Sequence, residues 1–169
     1  MYKLRELEQK DLDTINKWRN NKELIDLLGA PYRFINYEVD VRWFEHYMKS
    51  RNESIRCSIV DDMNDKILGL ISIVSINNLN QSGELHIMIG DCENQGKGIG
   101  TFAVKEMINH AFYNLNLHRI ELTVLEDNVR AIHLYEKCGF KYEGRKRKAK
   151  YKNGKFVDMK MYAILREEI

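Results

Sequence analysis

Proline is nearly missing from this 169-residue chain. Pro31 stands alone beside ten glycines, which excludes collagen-like and proline-rich disordered classes. Cysteine is scarce. Cys57, Cys92 and Cys138 are odd in number and irregular in spacing, so they give no disulfide framework. Neither a Cys-x-x-Cys pair nor a paired-histidine spacing occurs, and no metal site is expected. No stretch reaches the ~18 apolar residues of a membrane span. Met1-Tyr2-Lys3-Leu4-Arg5-Glu6 lacks the apolar core of a secretion signal. An excess of one charge is also missing. Lys plus Arg number 27 and Asp plus Glu 25, a net +2, whereas dedicated nucleic-acid binders carry a basic excess. The expectation is a cytoplasmic protein that uses neither membrane nor nucleic acid as partner. With 44% hydrophobic residues, the chain has enough apolar surface for a core without metal or disulfide.

Hydrophobic periodicity places the elements. Tyr2, Leu4 and Leu7 alternate with charged residues as a short first strand. Asp11 reads as the N-cap of a helix carrying Leu12, Ile15 and Trp18. Residues 20–36 are irregular. Val39, Trp43 and Tyr47, four apart, give a helix over about 37–50. Strands follow at 54–60, 67–76 and 84–89, joined by short polar turns as an antiparallel meander. A glycine-rich loop at 95–100 opens a helix over about 99–115. A strand at 119–125 and a helix at 128–137, closed by Gly139, come next. Two tail strands, 144–151 and 155–165, flank Asn153-Gly154, a hairpin signal. The order β α α β β β α β α β β has one parallel crossover. The expected fold is therefore a single α/β (α+β) domain over residues 1–169, with a mixed, mostly antiparallel sheet flanked by helices.

Gln95-Gly96-Lys97-Gly98-Ile99-Gly100-Thr101 lies between a strand and a helix start. Its glycines let the backbone turn sharply and present N–H groups without a Cβ in the way. The helix N-terminus adds a partial positive charge. Together they make a cradle for a diphosphate. The loop does not name the nucleotide, for Gly98-x-Gly100-x-x-Ala103 also fits the dinucleotide fingerprint, with Glu126 near the expected distance. A Rossmann domain repeats the βαβ unit, and this chain has one crossover. No Gly-Lys-Ser/Thr closes the loop, so it is not a Walker loop.

The chain resembles the GCN5-related N-acetyltransferases (GNAT). Gln95-x-x-Gly98-x-Gly100 matches that family's coenzyme A loop at every fixed position. Asn128-x-x-Ala131-x-x-Leu134-Tyr135, then Gly139-Phe140, follows at the family's spacing. The resemblance covers about residues 2–165. It is strongest to the branch of ribosomal-protein alanine and spermidine N-acetyltransferases, through Lys17-Trp18-Arg19-Asn20 and Tyr151-Lys152-Asn153-Gly154-Lys155-Phe156-Val157-Asp158.

The resemblance implies acetyl-coenzyme A (acetyl-CoA) as donor and direct attack of an amine on its thioester. The strands at 84–90 and 119–125 would splay. The pantetheine arm would pair with Met88, Ile89 and Gly90, and an N–H near Met88 would polarise the thioester oxygen. The amides of Gln95, Gly96, Lys97, Gly98, Ile99, Gly100 and Thr101 would hold the diphosphate. Asn128 would contact the cofactor or cap its helix.

The chemistry asks for an acid near sulfur and a base near the amine. A phenol is protonated at neutral pH and donates, so Tyr135 is the candidate acid. Glu84 ranks first as base. His86, Glu121 on the partner strand and a water chain are the alternatives. Arg145-Lys146-Arg147-Lys148 with Lys150 reads as a solvated strand face, with contact to the coenzyme's phosphates or to an anionic acceptor as the alternative.

Three acceptors stay open. A small-molecule amine, either a polyamine or an amino sugar, is favoured over a ribosomal-protein N-terminus. Carboxylates Glu23, Asp26, Glu38 and Asp40 would suit a polyamine, and Arg19, Arg33 and Arg42 a nucleotide-linked amino sugar. A noncatalytic acyl-CoA-binding module and a dinucleotide-dependent oxidoreductase are the rival classes. The tail strands offer edges for a homodimer.

Overall fold

The computed structural model describes residues 1–169. In chain order the elements are β1 (Tyr2–Glu6), α1 (Leu12–Arg19), α2 (Lys22–Asp26), α3 (Tyr37–Lys49), β2 (Ile55–Asp61), β3 (Ile67–Asn77), β4 (Ser82–Ile89), α4 (Ile99–Asn109), β5 (Arg119–Leu125), α5 (Val129–Lys137), β6 (Lys141–Lys152) and β7 (Lys155–Leu165). One seven-stranded sheet runs β1-β2-β3-β4-β5-β7-β6. Only β4 and β5 pair in parallel, so the expected mixed, mostly antiparallel sheet is what forms.

Alternation along the strands divides the core between two faces. Ile71 and Ile73 of β3 face α4 and α5. With Val104, Met107, Phe112, Ile120 and Ile164 they belong to the larger cluster of 22 buried residues. Leu70, the neighbour of Ile71 in sequence, packs on the smaller cluster beneath α1 and α3, where Leu12, Ile15, Trp18 and Tyr47 are buried. Each fully buried side chain of this size contributes roughly 1.5–3 kcal/mol.

Three expectations shift. Asp11 does not cap α1; its carboxylate instead accepts from the Glu8 N–H at 3.0 Å in the turn before it. The residue is buried, and its carboxylate also accepts from Arg5 Nη1 at 2.8 Å and from Ser58 Oγ at 2.7 Å. A polar signature that reads as a cap is here a strand-to-helix tie. The irregular 20–36 segment contains α2, capped by Asn21 at Leu24 N–H, too short for periodicity to reveal. The helix after the glycine loop ends at Asn109 and passes into a wide turn at His110–Asn114. At the tail hairpin, Asn153 and Gly154 both take positive φ, 50° and 82°, the pair a tight hairpin requires.

Candidate active site

β4 and β5 pair only at Ser82↔Arg119, Gly83↔Ile120 and Glu84↔Glu121. Beyond Glu84 the two strands part, while β4 keeps its other edge on β3 as far as Ile89. Gly90 donates its N–H to Leu68 O at 2.8 Å. Antiparallel ladders alternate, so Met88, paired with Leu70, also turns its N–H toward β3. The backbone groups of Leu85, Ile87 and Ile89 point into the gap. The donor expected near Met88 therefore moves one residue along: Ile87 and Ile89, not Met88 and Gly90, offer free N–H groups there. Sequence alternation shows which side chains share a face, but not which amides face the missing neighbour.

The gap opens into a cavity of about 700 Å³. Gln95, Gly96, Gly98, Ile99, Gly100 and Thr101 form one wall. Gly96 and Gly98 hold φ of 80° and 81°, and Gly98 precedes α4. A Cβ on Gly100 would stand 3.0 Å from Leu134 Cδ2, so a side chain there would have to push Leu134 of α5 aside. The N–H groups of Gly96, Lys97, Gly98, Ile99, Gly100 and Thr101 find no acceptor within the protein, whereas that of Gln95, expected among them, is taken by Cys92 O at 3.1 Å in the turn before the loop. Consecutive unpartnered amides at a helix start suit a diphosphate. Arg130 of α5 donates to Gln95 Oε1 and lies beside Gly96. Nothing in the motif marks this cation, because position 130 is a free position within Asn128-x-x-Ala131.

Tyr135 lines the same cavity and is 7% exposed. It stacks edge-on against Phe140, ring centres 5.9 Å apart, and its hydroxyl makes no hydrogen bond within the protein. Burial pushes its pKa up to about 12, so the phenol stays protonated at neutral pH.

Glu84 lines the cavity from β4. His86 Nε2 lies 3.1 Å from Glu84 Oε1. That contact holds the carboxyl below its usual value against an opposing effect of burial, and Lys146 and Lys150 lower it further. Glu121, the alternative on β5, pairs with Arg119 at 3.0 Å instead and does not line the cavity.

Asn128 Oδ1 accepts from Ala131 N–H at 3.2 Å, and its Nδ2 donates to Leu27 O at 2.8 Å. It caps α5 and ties α5 to the loop after α2. Lys152, buried, donates to Ile25 O and Ala30 O at 2.9 and 2.7 Å, fixing the same loop from β6. Trp18 packs so closely on Gly90 that any Cβ there would collide with its ring at 2.2 Å. Its Nε1 donates to Asp91 Oδ1 at 3.2 Å, which steadies the end of β4. The basic run of β6 is only partly a solvated face: Lys150 lines the cavity.

Residues 2–141 match a family model described as an acetyltransferase (GNAT) domain. Spermidine N(1)-acetyltransferase of Vibrio cholerae is 32% identical over 166 residues, 98% of this chain and 93% of that protein. The protein of that name from Escherichia coli K12 is 33% identical over 155 residues, 91% of this chain and 80% of its own length. A crystal structure of the Vibrio cholerae spermidine N-acetyltransferase in complex with CoA and spermine superposes with a TM-score of 0.92 at 30% identity. It covers 99% of this chain and 96% of that one. The splayed strands, the open amides and these likenesses agree: the chain belongs to the GNAT family and is an acetyl-CoA-dependent N-acetyltransferase acting on an amine.

Proposed function

We propose that this protein acetylates the primary amine of a small molecule, with acetyl-CoA bound along β4 and across the loop at 95–101. The observation that carries this is the run of six unpartnered amides, Gly96 to Thr101, opening on the cavity that also holds the unbonded Tyr135 hydroxyl. The amine nitrogen attacks the acyl carbon, a C–N bond forms and the C–S bond breaks. Ile87 or Ile89 N–H stabilises the developing oxyanion. Glu84 accepts the amine's proton, directly or through a water. The Tyr135 hydroxyl hydrogen-bonds to the departing sulfur and delivers its proton there. The apolar surroundings that weaken Tyr135 as an acid also make a thiolate beside it more basic, so the transfer stays matched.

The relatives' names suggest a polyamine as acceptor. A second reading, an amino sugar, is favoured by the cations around Glu84, since His86, Lys146 and Lys150 all act on its carboxylate. Residues 1–169 act as one catalytic domain in this reading. Three free cysteines suit a reducing cytoplasm. The outermost strand β6, with Tyr142 and Tyr151 exposed, is the edge for a homodimer. The test is a panel of spermidine, glucosamine and an N-terminal peptide with acetyl-CoA, followed by free thiol release. Turnover of a small amine above the peptide is expected. Turnover of the peptide alone would contradict the small-molecule reading, and no turnover despite acetyl-CoA binding would contradict catalysis.

A further inference from the structure

Beyond Glu84 the cavity carries cations that the acetyl-transfer chemistry does not use. Arg56 of β2 stands directly opposite Ser72 of β3, and Ser72 opposite His86 of β4. Directly opposed side chains start ~5 Å apart on one face. The three therefore form a row across the sheet, and all three line the cavity. Arg56 is half-buried. Its guanidinium lies over Trp43, 5.1 Å from the ring centre, and 6.0 Å from that of Tyr47. It makes no ion pair and no side-chain hydrogen bond. Three other arginines of this half of the chain are paired: Arg5 with Asp11, Arg19 with Asp40, Arg51 with Glu6. An arginine partly desolvated against aromatic rings, with no carboxylate on it, keeps its N–H donors free for an anion. Lys150 lines the cavity from β6, and Lys146 lies near enough to bias Glu84. The one carboxylate facing this group is Glu84, and His86 already occupies it. A polycation would meet Arg56, Lys146 and Lys150 with only Glu84 to offset them.

We infer that the Arg56–Ser72–His86 row, with Lys150, is a subsite for a phosphate group on the acceptor, so that the amine acetylated belongs to a phosphorylated small molecule. The guanidinium fork takes two phosphate oxygens, Ser72 donates its hydroxyl, and Lys150 supplies a second charge. The amine itself lies at Glu84. This inference rests on the acetyltransferase reading for the amine's place and names the rest of the molecule.

The test uses protein saturated with CoA, so that the diphosphate loop is already filled. Calorimetry then compares glucosamine 6-phosphate, glucosamine and spermidine. The phosphorylated amine is expected to bind at least about tenfold more tightly than glucosamine. Arg56→Gln and, separately, the surface change Lys150→Gln are expected to remove most of that preference while CoA affinity stays unchanged, which reports an intact fold. Equal binding of glucosamine and its phosphate, or tighter binding of spermidine than of either, would overturn the subsite. Turnover is read apart from binding. Phosphate-dependent binding without acetylation of any amine would leave the subsite standing and remove the acetyltransferase reading.

Discussion

At Gly96 and from Gly98 to Thr101 the cavity wall offers unpartnered main-chain amides; across the sheet, at Arg56, His86 and Glu84, it offers charged and titratable side chains. The donor wall works by removing side chains. Glycines at 96 and 98 adopt left-handed φ, and Gly100 lets α4 approach Leu134, so amides rather than charges meet the ligand. The acceptor wall works by adding them. Its charged groups come from β2, β4 and β6, strands far apart in sequence. A main-chain site is specified by one contiguous motif and tolerates little change. A side-chain site is specified by residues scattered along the chain and can be altered one at a time, which lets one donor serve many acceptors.

If the two walls are separate devices, substitutions should split cleanly between donor and acceptor constants. Tyr135 sits where the walls meet. Tyr135→Phe should lower kcat by about 100-fold or more, the usual range for a lost general acid, with CoA affinity unchanged. Single-turnover kinetics checks this, and an unchanged chemical rate would remove Tyr135 from the reaction. Glu84→Gln should cost kcat about tenfold or more and flatten the acid side of the pH–rate profile; an intact profile would shift the base to a water chain. Gly98→Val forces a β-branched residue into the left-handed region, at roughly 1–2 kcal/mol. It should raise the KM for acetyl-CoA by about tenfold and leave the acceptor KM alone. Lys152→Met frees the Ile25 and Ala30 carbonyls and should raise the acceptor KM by only about threefold, with no donor effect. A donor effect there would show that the walls are coupled.

The pH dependence is the smallest effect and has a definite sign. Tyr135 is raised to about 12, so it remains a proton donor throughout the neutral and mildly alkaline range. The alkaline loss of kcat should appear only as pH approaches about 12; a loss centred near 10 would mean a phenol in contact with water.

The donor wall was legible before folding because its signals are local. Gln95-x-x-Gly98-x-Gly100 and Asn128-x-x-Ala131-x-x-Leu134-Tyr135 are contiguous, and the strands around them alternate cleanly. The meander and the single parallel crossover followed from the same periodicity. Which amides of β4 face the gap was not legible, because this depends on ladder parity and on where β5 leaves. Arg130 was invisible for another reason: nothing in its spacing marks it, and only the approach of α5 to the loop brings it to Gln95. Asp11 misled because a carboxylate before a helix looks the same whether it caps the helix or, as here, neutralises Arg5 under the sheet. The Arg56 row needs the register of three strands at once, and which member of the basic run of β6 meets the cavity, Lys150, is settled only by the fold.

The central claim is that the amides of residues 96–101 grip a diphosphate. Backbone amide NMR of the isotopically labelled protein, titrated with CoA and separately with pantetheine, which lacks the diphosphate, tests it most directly. The amide signals of Gly96, Lys97, Gly98, Ile99, Gly100 and Thr101 should move strongly downfield with CoA and stay nearly still with pantetheine, while Ile87 and Ile89 respond to both. Equal shifts with the two ligands, or CoA shifts that bypass the loop, would contradict the account.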